Sequence, residues 1–137
     1  MKTATRLTLL LLALVMTFTF AACKTPEAWE TDVYDTDTTL GEGEKTITVK
    51  VITDEKNVTF TIHTDKETLG AALLEHRLIA GEDGAYGLYL KRVNGILADY
   101  DTDGYYWSFT KNGEMMMVGV DGAEISDGEQ YELTRTK

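Results

Sequence analysis

The sequence predicts an α+β domain, with one helix laid across a mixed β-sheet that two β-hairpins feed. Three observations predict it: two adjacent segments with a period of two, one with the period of a helix, and an Asn-Gly pair between apolar runs. Thr46–Ile52 (TITVKVI) sets Ile47, Val49 and Val51 against Thr46, Thr48 and Lys50, the pattern of a half-buried strand. Asp54–Asn57 supplies turn residues. Val58–Thr64 then alternates again with Val58, Phe60 and Ile62 on one side, so the two runs predict a hairpin. Thr64 and Glu67 have the spacing of a capping box, in which each side chain satisfies an orphaned N–H at a helix start. Leu69, Ala72, Leu73 and His76 follow on one helical face, flanked by Leu74 and Leu78. Ala80–Gly84 (AGEDG) is expected to end the helical region. Tyr86–Ile96 is rich in strand formers, with breaks at Gly87 and Asn94-Gly95. Tyr105–Val120 predicts the second hairpin, turning at Asn112-Gly113, and Glu129–Arg135 is the closing strand. A helix and a sheet each have one apolar side to bury, and this order fits a ubiquitin-like β-grasp best.

Ahead of the domain the composition changes. Lys2 and Arg6 precede an uncharged apolar run, Leu7–Phe20, and then Ala21-Ala22-Cys23. A basic start, a short apolar stretch and small residues describe a secretory signal over residues 1–22. A membrane span needs about 20 apolar residues, so a retained helix is the weaker reading. Cys23 is the only cysteine, which excludes an intramolecular disulfide. Its place after Ala-Ala resembles the lipobox of bacterial lipoproteins, although Phe20 stands where Leu is usual. The resemblance implies lipidation at Cys23; an ordinary signal that contains a cysteine is the alternative. Lys24–Lys45 holds seven acidic residues and the single proline, and is expected to be a solvated tether running from Cys23 to residue 45. Cleavage after residue 22 removes Lys2 and Arg6 and no acid, taking the net charge from −10 to −12. So acidic a balance argues against binding nucleic acid or anionic headgroups, for which basic patches supply the affinity.

The second hairpin can be read residue by residue. A two-residue loop at Asn112-Gly113 places Lys111 opposite Glu114, Phe109 opposite Met116 and Trp107 opposite Val118. On the other face Thr110 meets Met115, and Ser108 meets Met117. The first face is the more apolar, so Trp107, Phe109, Met116 and Val118 are expected in the core. Tyr106, Met115 and Met117 are expected on the opposite, open face, where a binding patch and loose surface packing both account for the methionines.

Signals for catalysis are sparse. His63 is expected on the polar side of its strand and His76 near the helix end, neither beside a nucleophile in a recognisable motif. Metal-ligand spacing of the His-x₃-His kind is absent, and Gly41–Gly43 lacks the strand-to-helix setting of a phosphate loop. Asp99, Asp101, Asp103 and Gly104 match the first half of a calcium loop. Thr110 occupies the twelfth position, where a bidentate Glu belongs, so an acidic turn is expected, with weak calcium binding as the alternative. The chain is expected not to be an enzyme and to need no cofactor or metal.

The segment from Thr68 to Leu133 resembles a bacterial domain family of unassigned biochemical role. That family is similar to the C-terminal β-domain of transcobalamin and intrinsic factor. The carriers are the Leu-rich helix, YGLYLKRVNG at Tyr86–Gly95, YWSFTKNGE at Tyr106–Glu114 and GVDGAEISDGEQYEL at Gly119–Leu133. In transcobalamins this domain covers one side of cobalamin and a helical domain the other; no stretch of these residues resembles the helical half. The resemblance implies ligand contacts from Tyr86, Gly87 and Leu88, and from Met115, Met116 and Met117. A polarizable thioether suits an irregular ligand edge. The resulting expectation is a lipid-anchored, extracytoplasmic bacterial protein that binds cobalamin or a related corrinoid, with Tyr106 beside the implied contacts. Its partners would be that ligand, the membrane through its anchor, and a transporter or a protein supplying the helical half. A surface adhesion or protein–protein module is the rival.

Overall fold

The computed structural model describes residues 29–137, so the expected signal segment and Cys23 lie outside the described residues. The architecture is mixed α/β, mostly strand, in two sheets. Strands β2 (Lys45–Ile52) and β3 (Asn57–Thr64) form the first hairpin, closed by Thr53, whose N–H and hydroxyl both donate to the Lys56 carbonyl. Their alternation is the one expected: Ile47, Val49, Val51, Val58, Phe60 and Ile62 are all buried. Helix α1 (Leu69–Glu75) turns Leu69, Ala72 and Leu73 inward. The closing strand, β9 (Gln130–Thr136), lies parallel to β2 and antiparallel to β7 (Tyr106–Lys111). The six-stranded sheet has the order β1-β3-β2-β9-β7-β8, where β1 is Thr38–Leu40 and β8 is Glu114–Met115.

Four expectations are corrected. First, the helix is capped by Thr68, whose hydroxyl accepts from the Ala71 N–H; Thr64 instead ends β3 and accepts from the Lys66 N–H. Both threonines had capping chemistry nearby, and β3 simply runs further than its apolar residues do. Second, 80–84 is not a loop closing the helix. Arg77, in the left-handed region at φ 55°, reverses the chain, and Ile79–Gly84 becomes strand β4. It pairs with β5 (Gly87–Val93), which turns at Asn94-Gly95 into β6 (Ile96–Leu97). These three strands form a second sheet, whereas a single sheet was expected. Ladder hydrogen bonds come from the backbone, so a Gly- and acid-rich strand leaves no alternation to read.

Third, the tether does not stay solvated up to residue 45. The Asp32 N–H donates to the Arg77 carbonyl, and the buried Asn94 side chain bonds both the N–H and the carbonyl of Tyr34. Tyr34 packs edge-on against Phe60 at 5.5 Å, and β1 runs parallel to β3. Fourth, Val118 is not in the core. The Met116 N–H still reaches the Phe109 carbonyl, but the chain then leaves β7, and Val118 is 50% exposed. Val120, at the start of a 3₁₀ turn (Val120–Gly122), takes the buried place under α1.

Candidate functional site

The departure of the chain after Met116 leaves a concavity beside β7. Because β8 stops at Met115, the outer edge of β7 from Tyr106 to Ser108 has no strand partner among the described residues. Facing that edge is β5, which is tied to β7 by a hydrogen bond from Trp107 Nε1–H to the Lys91 carbonyl (3.3 Å). Between them lies a groove of about 330 Å³, walled by Leu88–Leu90, Tyr106–Phe109, Met115–Met116 and Val118–Val120. No charged side chain lines it. A second hollow of about 310 Å³ adjoins it through Val118 and Gly119, with Tyr86, Met117 and Asp121 on its walls.

The expected contact residues therefore come together in two groups. Leu88, Tyr106, Met115 and Met116 line the main groove, while Tyr86 and Met117 line the adjoining hollow. Gly87 sits between them. Tyr86 is 98% exposed at the tip of the β4–β5 hairpin, Met117 is 94% exposed and Met115 66%. Met116 resolves the tension between the two readings of the hairpin, since it packs on the core with one side and lines the groove with the other. Trp107 is buried, as expected, yet forms part of the floor. Sequence reasoning missed Tyr89, Leu90, Val118, Gly119, Val120 and Asp121. Tyr89 and Leu90 face the groove because β5 belongs to a separate sheet, and Val118–Val120 because the chain leaves β7 after Met116; no local pattern encodes either. The Gly-Val-Asp-Gly run at 119–122 was the one available signal.

The neighbourhood is electrostatically settled. Lys91 is buried and pairs with Asp99 at 3.0 Å, its ammonium 4.6 Å from the Tyr89 ring centroid. Burial alone would lower its pKa. The hydrogen bond and charge of Asp99, with Tyr89 and Glu82, outweigh burial and leave it raised above 10.5. The acidic turn is likewise used up internally. Helix α2 (Tyr100–Asp103) begins after Asp99, and Asp103 Oδ1 accepts from the Tyr105 N–H (2.7 Å) and the Asp99 N–H (3.2 Å). Its other oxygen takes Arg135 at 3.3 Å. The Tyr105 hydrogen bond, then those of Asp99 and the Arg135 charge, hold the Asp103 carboxyl below 3.8 despite some desolvation. Among the described residues no group of three or more His, Cys, Asp or Glu is disposed to hold a metal. His63 Nδ1 bonds the Thr46 hydroxyl at 2.9 Å, and the His76 ring packs over Gly41.

Comparison with known proteins gives three findings. The model of the family described as "Domain of unknown function (DUF4430)" matches residues 66–136. A solved protein from Ruminococcus gnavus ATCC 29149, named as a candidate metal-binding protein, is 38% identical with a TM-score of 0.65; the match covers 69% of this chain and 98% of that one. Haptocorrin in complex with Cbi shares the fold at 20% identity and a TM-score of 0.51, over 72% of this chain. The match spans 26% of haptocorrin. No curated protein matches.

Proposed function

This chain belongs to the DUF4430 family, and we propose that it is a lipid-anchored surface protein whose β-grasp domain binds a small molecule, cobalamin or a related corrinoid first among them. The observation that carries the reading is the uncharged groove between β5 and β7, where Leu88, Met115 and Met116 stand beside an unpartnered strand edge. Apolar walls with a few polar groups are the composition of small-molecule sites. An open edge offers backbone N–H and C=O groups to the amides that fringe a corrin. Haptocorrin, which shares the fold, is seen with Cbi, and this supports the ligand class. The R. gnavus relative's name points to a metal instead, but here Asp99 and Asp103 are already committed to Lys91, Arg135 and backbone N–H groups. The sheet order, with β9 parallel to β2 at the centre, supports the β-grasp assignment. Anchoring through Cys23 would place the domain outside the cell membrane, where a captured ligand could pass to an uptake system. We read the protein as non-catalytic.

The rival, a protein-docking module, is favoured by the exposure of Tyr86, Met117 and Val118 at one end of the groove. Absorbance titration of protein lacking residues 1–23 with cobalamin and with Cbi separates the two. A saturable change in the corrin bands with quenching of Trp107 is expected; silence from both corrinoids at high micromolar concentration removes the corrinoid reading.

A further inference from the structure

Three glycines lie against one aspartate: Gly87 of β5, Gly70 of α1, and Gly119 at the start of the turn that Asp121 itself occupies. A Cβ placed at Gly87 would lie 2.5 Å from each carboxylate oxygen of Asp121, and one at Gly119 would lie 3.2 Å from Oδ1. A Cβ at Gly70 in α1 would meet the Asp121 backbone N at 2.9 Å and Cα at 2.8 Å. Into this cleared space the carboxylate turns and accepts the Leu88 N–H at 2.9 Å. Gly87 holds φ at +101°, a conformation L side chains rarely adopt, so the start of β5 has its shape for this approach.

We propose that Asp121 is the positioning residue of the site, a latch that fixes the start of β5 to the Gly119 turn. It thereby sets the spacing of Leu88 and Val118 across the groove. The inference rests on the binding reading above for its consequence, but the latch itself is a statement about geometry. Both hollows share Val118 and Gly119, and Asp121 lines the second, so releasing it alters the two together. A carboxylate accepting a backbone N–H makes a charge-assisted bond, short and directional enough to hold a strand end in place. Because Asp121 is exposed, its removal is expected to displace local geometry far more than it lowers global stability.

The test compares wild type, Asp121→Ala and Asp121→Asn, where Asn keeps an acceptor oxygen. In Asp121→Ala the Leu88 amide proton should shift upfield, with Val118 and Gly119 resonances moving too, while the thermal midpoint stays near wild type. Affinity for Cbi should fall about tenfold, the size of one misplaced contact. Asp121→Asn should restore both readouts in large part. Leu88 and Gly119 resonances that do not respond to Asp121→Ala overturn the latch. If wild type itself fails to bind Cbi, the binding reading falls and the amide shifts still decide the latch. Shifts that occur without a change in Cbi affinity overturn its positioning role.

Discussion

Met115 and Met117 stand clear of the fold, whereas Trp107 holds it together, and this contrast makes residue-scale predictions sharp. Replacing both methionines with Ser should weaken corrinoid binding by about tenfold while the denaturation midpoint barely moves, because exposed substitutions usually cost less than about 0.5 kcal/mol. Titration and a urea melt on the same sample check both halves. Trp107→Ala behaves oppositely: it empties a buried site and frees the Lys91 carbonyl, so about 3–5 kcal/mol of stability should be lost. Asp103 gives a pH prediction. Its folded pKa is depressed, so its contribution is present above the ordinary value of 3.8 and is lost as pH falls from there through the folded value. Asp103→Asn should flatten the acid limb of a stability–pH curve; an unchanged limb would show that other carboxylates govern it.

At the scale of elements, the strands whose side chains alternate were legible and those held by backbone alone were not. β2, β3, β7 and the Asn112-Gly113 turn came directly from the apolar period and from two residues at φ 50° and 87°. β1 and β4 could not be read that way, because Thr-Thr-Leu and Ile-Ala-Gly-Glu-Asp-Gly bury one apolar residue each, Leu40 and Ile79, and carry no alternation. The helix was expected from a Thr64 cap to beyond Leu78, whereas α1 covers only Leu69–Glu75, with Thr68 as its cap and Ile79 already in β4. The candidate site was half legible for the same reason: Met115 and Met116 lie on a readable hairpin, while Leu90 belongs to a second sheet and Met117 and Val118 follow the point where the chain leaves β7. The docked arm at 31–40 makes its own prediction. Asn94→Ala removes both bonds to Tyr34 and places Ala at φ 50°, and should cost about 2–3 kcal/mol. Deleting residues 29–40 should lower the midpoint at least as far, which equilibrium urea unfolding would show. Equal stability with and without the arm would mean that its contacts hold nothing.

At the scale of the whole molecule, the domain sets an uncharged groove within an acidic protein, between two sheets that meet at Trp107 and Lys91. An acidic exterior repels anionic headgroups and nucleic acid and leaves a neutral, amide-bearing ligand free to approach. The arm docks on the domain from Thr31 onward. If Cys23 carries lipid, seven residues lie between the anchor and Thr31, the first residue hydrogen-bonded to the domain, a span of about 30 Å when fully extended. The most direct test of the central claim is a map of backbone amide shifts in protein lacking residues 1–23, titrated with Cbi. Saturable shifts concentrated at Leu88–Leu90, Tyr106–Ser108 and Met115–Gly119 are predicted. Shifts clustered elsewhere, or none at high micromolar Cbi, would contradict the assignment of this groove as the binding site.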